Sequence, residues 1–131
     1  MITSLIALHK NGEVTLDATS TDNFEAGQPL AVTIAGYRLL KAGTDTVLAG
    51  IALNNRKDTA GVDYIPTVIE TPAIIELTEA TAGSLIASGA NLAVNAVVYA
   101  DNAGKYTHVA TDNVAVGIVR NVSPLVIKFT A

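Results

Sequence analysis

The sequence predicts an all-β protein built from two tandem small units that pack as one compact body. Three observations carry this expectation. First, the chain says one stretch twice: Gly27-Gln-Pro-Leu-Ala-Val-Thr-Ile-Ala-Gly-Tyr37 with Thr44-Asp-Thr-Val-Leu-Ala-Gly-Ile51 returns as Gly89-Ala-Asn-Leu-Ala-Val-Asn-Ala-Val-Val-Tyr99 with Thr111-Asp-Asn-Val-Ala-Val-Gly-Ile118. Second, the apolar runs are short, rich in β-branched residues and punctuated by Gly, Pro, Asn and Asp, as strands are. Third, 50% of the 131 residues are hydrophobic and only 15% are charged, which excludes disorder as the main state.

The match runs on in both directions. Ala18-Thr19 pairs with Ala80-Thr81, Asn54 with Asn121, and Pro66-Thr-Val-Ile-Glu-Thr-Pro-Ala73 with Pro124-Leu-Val-Ile-Lys-Phe-Thr-Ala131. Each unit is roughly 55 to 60 residues and buries too little apolar surface to stand comfortably alone. The chain therefore divides into residues 1–12, residues 13–73 as the first unit and residues 74–131 as the second. A pseudo-two-fold relating them would superpose Tyr37 on Tyr99 and Gly50 on Gly117.

In chain order, residues 1–12 carry Ile2, Leu5, Ile6 and Leu8 ahead of an Asn11-Gly12 turn signal, outside both repeats. This stretch reads either as a first strand or as an arm for a partner. It lacks the basic start and small-residue exit of a signal peptide, and no later apolar run approaches the length of about 20 needed to span a bilayer, so a soluble protein is expected. Glu13 to Asp17 alternates with the period of a half-buried strand. Leu30 to Ile34 is the first strand of the repeat proper. Tyr37 to Gly43 resembles a capped helical turn by itself, but its counterpart Tyr99-Ala-Asp-Asn-Ala-Gly-Lys-Tyr106 is a hairpin signature, which argues strand and turn for both. Gly50 and Gly117 interrupt equivalent apolar runs and suggest a bulge, bend or close contact, as in small curved barrels. Asn55 to Ile65 is an insertion confined to the first unit. Ile74 to Leu77 is a further strand, and no Pro/Ser-rich linker separates the units.

Chemistry is sparse. The net charge is −4 with no cysteine, which removes thiolate metal sites and gives no bulk steering toward nucleic acid or anionic membrane. His9 and His108 have no ligand partners at helical or hairpin spacing. Ser84 and Ser88 lack the elbow and base of a nucleophile and read as turn serines. Asp58 and Asp63 flank Thr-Ala-Gly-Val but offer too few oxygens for a calcium loop. Asp45 and Asp112 recur at one repeat position. They would interest as paired carboxylates if the units faced each other, yet Thr-Asp before a strand is more often a turn bonding its own backbone. With no catalytic constellation and no cofactor motif, the chain reads as a structural component rather than an enzyme. The aromatic fraction of 5% poorly supplies stacking platforms.

Leu92-Ala-Val, Val97-Val-Tyr-Ala-Asp-Asn-Ala-Gly-Lys-Tyr106 and Asp112-Asn-Val-Ala-Val-Gly-Ile-Val119 together resemble the core of tailed-bacteriophage capsid decoration (cement) proteins of the lambdoid head-decoration type. The resemblance covers about 35 residues here and, more weakly, the same stretch of the first copy. It implies a β-tulip-like body, a homotrimer on an expanded icosahedral shell, binding to the major capsid protein, and a place on the virion surface after synthesis in the bacterial cytoplasm. Neither nucleic acid nor membrane is an implied partner. The capsid contact would fall on the N-terminal segment, with Ile2, Leu5, Ile6 and Leu8 as candidates and the insertion residues Arg56, Lys57, Asp58 and Tyr64 as the rival surface. The competing reading is another β-rich virion or surface module, such as a fibre base or a glycan-binding domain.

Overall fold

A computed structural model describes residues 6–10, 14–15, 25–34, 36–52, 58–59, 62–63, 68–77 and 85–130. The described residues form strands, turns and loops, with no helix. In chain order the strands are Ile6–Lys10 (β1), Val14–Thr15 (β2), Pro29–Thr33 (β3), Gly36–Leu39 (β4), Gly50–Ala52 (β5), Asp58–Thr59 (β6), Val62–Asp63 (β7), Val68–Glu70 (β8), Ala73–Leu77 (β9), Val97–Ala100 (β10), Tyr106–Thr107 (β11), Val114–Asn121 (β12) and Leu125–Phe129 (β13). They make a six-stranded sheet in the order β1-β9-β13-β12-β10-β11, a five-stranded sheet in the order β2-β8-β5-β3-β4, and the small hairpin β6-β7.

With β1 set aside, both large sheets are antiparallel and share one order: first strand, last, fourth, second, third. The residues matched by sequence do not all keep their places in that order. Leu30 to Val32 lies in β3, whereas Leu92 to Val94 is loop and turn. Tyr37 stands in the third strand of its sheet, paired with Val32, while Tyr99 stands in the second strand of the other. It is Tyr106, paired with Ala100 in the third strand, that occupies the place of Tyr37. Gly50 and Gly117 do correspond: Gly50 faces Leu30 and Glu70, and Gly117 faces Val98 and Phe129.

The N-terminal segment enters the fold as a strand over Ile6–Lys10, antiparallel to β9, with Ala7 opposite Ile75 and Lys10 opposite Ala73. It thus edges the six-stranded sheet, although β2 belongs to the five-stranded one.

Alternation builds the core. In β9, Ala73, Ile75 and Leu77 are buried while Ile74 and Glu76 are half-buried. One buried cluster draws Ile51 and Ile69 from the five-stranded sheet together with Ile75, Leu77, Val98, Val116, Ile127 and Phe129 from the six-stranded one. Each Ile or Leu taken wholly from water there contributes about 1.5–3 kcal/mol. A smaller cluster of Leu30, Tyr37 and Ala52 packs with Leu39.

Two polar links join the sheets. The Tyr106 hydroxyl, on a side chain with no exposure, donates to the Gly27 carbonyl at 2.5 Å. Gly27 is held to the other sheet by its own N–H, which donates to the Ala52 carbonyl at 2.8 Å. Gln28 Nε2 reaches the Gly104 carbonyl at 3.4 Å. The Tyr106 ring also meets Phe129 with centroids 5.6 Å apart, tilted by 51°. Burial pushes the Tyr106 phenol well above its ordinary pKa, so it remains a donor.

The glycine inside β12 marks a bulge. Val98 pairs with Gly117 but Tyr99 pairs with Ala115, so Val116 is the extra residue. The alternation resets there, leaving Val116 and Gly117 both buried and Ala115 and Ile118 both exposed. A side chain at Gly117 would fall on the Lys128 carbonyl oxygen and within 3.1 Å of Ile127 Cγ2.

Two substitutions check this packing. Gly117→Ala should cost about 2–3 kcal/mol by forcing β12 and β13 apart, whereas Gly43→Ala, with nothing within 4 Å of its new methyl, should leave stability equal or slightly higher. Tyr106→Phe keeps the ring and strands the Gly27 carbonyl, and should cost about 1–3 kcal/mol in urea unfolding. A loss under a few tenths of a kcal/mol would show that the hydroxyl does not tie the sheets together.

Candidate functional site

The repeated Thr-Asp motifs meet. Asp45 and Asp112 line one cleft of about 340 Å³ with Ala42, Thr46, Asn113, Val114 and Ala115. A second cleft of about 250 Å³, lined by Ala31, Val32, Thr44, Asp45, Thr46, Val47 and Ala49, lies on the other side of the same loop.

The two carboxylates have different surroundings. Asp45 receives a two-pronged ion pair from Arg38, with Nη2 to Oδ1 at 2.6 Å and Nη1 to Oδ2 at 2.7 Å. Its Oδ2 also accepts the Lys41 N–H at 2.7 Å, while the Thr44 and Asp45 N–H groups donate to the Lys41 carbonyl. Only 12% of the Asp45 side chain and 19% of the Arg38 side chain remain exposed. The Arg38 hydrogen bonds hold the Asp45 carboxyl below its ordinary range, against the opposing pull of burial. A carboxylate fixed this way clamps a turn and is a poor proton acceptor. Asp112 is exposed and sits in the left-handed region at φ 61°, where Asp is among the few tolerated residues. Beside it the Asn113 side chain donates to the Val109 carbonyl at 3.0 Å. Both aspartates thus occupy turns, and the same turns border one cleft.

The other residues singled out by sequence fall apart in space. His108 is exposed and its Nδ1 accepts the Asn91 N–H at 2.9 Å, which ties the loop before β10 to the end of β11. His9 lies on β1 opposite Ile74. Ser88 is an exposed turn residue, and Ser84 lies outside the described residues. Asp58 and Asp63 face each other in the β6-β7 register. Arg56, Lys57 and Tyr64 lie outside the described residues, as do Ile2 and Leu5. Ile6 and Leu8 belong to β1. Among the described residues no three of His, Cys, Asp and Glu gather to hold a metal.

The outer face of the six-stranded sheet was not foreseen. Register aligns Ile74 of β9, Lys128 of β13, Ile118 of β12 and Val97 of β10 in one cross-strand row. Val97 is 42% and Ile118 38% exposed. Arg120 follows on β12, exposed, at a register shift that leaves it opposite no residue of β13. In sequence Ile118 looks like one more core residue of Val114 to Val119; only the bulge turns it outward.

No protein family's sequence profile matches the chain, and no curated protein or solved structure matches it either.

The Arg38–Asp45 clamp has a pH signature. Because the folded pKa of Asp45 lies below the ordinary 3.8, its contribution is present above that value and is lost as pH falls through the lower folded one. Asp45→Asn should cost about 1–3 kcal/mol near neutral pH by replacing the charged two-pronged pair with the largely buried Arg38 by a weaker neutral contact. The gap to wild type should close in acid, as pH falls below the ordinary carboxylate range. Paired thermal melts across pH measure it, and an equal gap at every pH would rule the clamp out.

Proposed function

We propose that this chain is a structural decoration protein of a tailed-phage capsid, binding the major capsid protein on the outside of the expanded shell and stabilising it. The observation that supports this reading best is where the resembling residues lie. Val97–Ala100, Tyr106–Thr107 and Val114–Asn121 are β10, β11 and β12, three neighbours in one sheet, so the motif that resembles the family is a contiguous structural unit rather than scattered matches. With it go the finer readings of a duplicated, barrel-like (β-tulip-like) unit and a homo-oligomer, a trimer in the family pattern. On this reading the repeated order of strands preserves the duplication, and the residue match has slipped by the loop between β10 and β11.

A cement protein stabilises a shell only by binding the expanded state better than its precursor, so its contact spans subunits whose spacing changes. The N-terminal segment is the proposed contact, with Ile2 and Leu5 ahead of the β1 residues Ile6 and Leu8; the insertion carrying Arg56, Lys57, Asp58 and Tyr64 is the alternative surface. A glycan-binding module has less to recommend it, since Tyr106 is fully buried, Tyr37 nearly so and Tyr99 half-buried, leaving few rings among the described residues to stack on sugars.

Removing residues 6–8 would also strip β9 of one of its two partner strands, so the informative deletion stops at residue 5. Purified protein mixed with expanded and unexpanded empty capsids should decorate only the expanded ones in negative stain and raise their melting temperature. The variant lacking residues 2–5 should fold as before yet decorate at lower occupancy. Equal occupancy on both capsid states would remove the cement mechanism, and undiminished binding by the truncated chain would move the contact to the insertion.

A further inference from the structure

We infer that the free edge of β3 is a self-association site, at which two copies of this chain pair β3 with β3 antiparallel about a two-fold axis near Thr33. The inference goes beyond capsid binding and does not depend on it. The two-fold contact is also separate from the three-fold association proposed above.

The five-stranded sheet is incomplete on one side of β3. There β5 pairs with β3 only at Pro29 and Leu30, whereas on the other side β4 continues to the pair of Thr33 with Gly36. The six-stranded sheet shows what is missing. Its glycine at the corresponding place is Gly117, and the strand carrying it already pairs three residues earlier, Val114 with Ala100. In the five-stranded sheet the chain before Gly50 leaves the edge, and β5 is 3 residues long. The space beside it is the cleft of about 250 Å³ lined by Ala31, Val32, Val47, Ala49 and the turn residues 44–46. Ala31 and Val32 are consecutive strand residues and point to opposite faces, so a cleft that touches both lies along the strand's edge.

That edge directs backbone groups into the cleft. The Leu40 N–H donates to the Pro29 carbonyl, so Pro29, Ala31 and Thr33 bond toward β4, and antiparallel alternation turns the groups of Leu30 and Val32 the other way. Leu30 places its carbonyl on the Ala49 N–H at 2.9 Å. No described strand reaches Val32 on that side.

The hairpin supplies its own occupant. Folded proteins block free edges with charge or proline, yet Leu30 to Tyr37 contains neither. Two residues beyond Val32 stands Ile34, fully exposed. Alternation permits Val32 to face either Val32 or Ile34 of the other copy. The first register drives the other copy's Ile34 toward Leu30, where Gly50 already sits; the second avoids it. Each Val32 then exchanges two N–H···O bonds with the other copy's Ile34. Each Ile34 side chain packs on Val32 at the mouth of the cleft, beside the exposed Val47. One short strand thus fills the gap and covers its own exposed isoleucine, as a two-fold contact requires of a single patch.

Sedimentation velocity of the intact chain over a concentration series tests this. The wild type should show a monomer–dimer equilibrium. Ile34→Lys, at a fully exposed position, should weaken the dimer by roughly tenfold or more, since it sets a charge in each of two apolar contacts. Val32→Pro removes only the N–H that the pairing uses and should weaken it to a similar degree. Val97→Lys, on the other sheet, should leave the equilibrium as in wild type; circular dichroism checks that each variant folds. Hydrogen exchange at the Val32 amide of the wild type should slow as concentration rises, which reads the backbone pairing without any substitution. A wild type that stays monomeric throughout, an association that Ile34→Lys leaves unmoved or that Val97→Lys weakens equally, or Val32 exchange independent of concentration would each overturn the inference.

Discussion

The bond from the Tyr106 hydroxyl to the Gly27 carbonyl is the constraint on which the arrangement of the two sheets depends. A phenol buried without a partner would cost several kcal/mol, and so would an orphaned carbonyl. Either loss is large against the total stability of about 5–15 kcal/mol expected for a domain of this size. The contact at 2.5 Å resolves both costs at once, and it does so between the sheets rather than within one. Gly27 is itself hydrogen-bonded to Ala52 in the five-stranded sheet, and Tyr106 N donates to the Leu85 carbonyl beside the six-stranded one. A hydrophobic core fixes how close two sheets lie but tolerates sliding. One directional bond through its middle fixes where they stop.

Much of the fold is legible in the sequence because the strand signals are local. The runs Leu30 to Thr33, Ile74 to Leu77 and Val97 to Tyr99 have β-branched cores bounded by turn formers, and each becomes strand. The two interior glycines were also informative, for Gly50 and Gly117 take corresponding places between the same strands of the two sheets. What sequence matching misses is the assignment of matched residues to strands. A period of two makes every Ala/Val-rich strand resemble its neighbours, so Leu92-Ala-Val94 matches Leu30-Ala-Val32 although it lies in loop and turn, and Tyr99 matches Tyr37 although Tyr106 stands in its place.

The outer face was hidden for a related reason. Val114 to Val119 reads as a plain apolar strand, and strict alternation would put Ile118 on the side of Val114 and Val116, which are buried. The extra residue at Val116 breaks the alternation and turns Ile118 outward. Nothing in the letters distinguishes a bulged strand from a regular one except the glycine, and a glycine alone does not say which neighbour changes face. The Thr-Asp motifs show the opposite case. Turn chemistry is local, so their role as turns was readable, but their meeting in one cleft depends on how two distant loops pack.

The place of β1 bears on how the N-terminal segment can reach a partner. A segment paired with β9 over Ile6 to Lys10 is not a free arm. Releasing it would cost its hydrogen bonds to β9 and expose an unpaired edge, which is a hazard that folded β-proteins generally avoid. Binding by release would therefore have to repay that cost before it gained anything. Addition of a partner strand to the outer edge of β1 carries no such cost, because antiparallel pairing uses alternate backbone groups on the two sides of a strand and β9 engages only one side. Of the two sequence alternatives, strand and arm, Ile6 to Lys10 takes the first, and any partner that engages this part of the chain meets a strand already seated on β9.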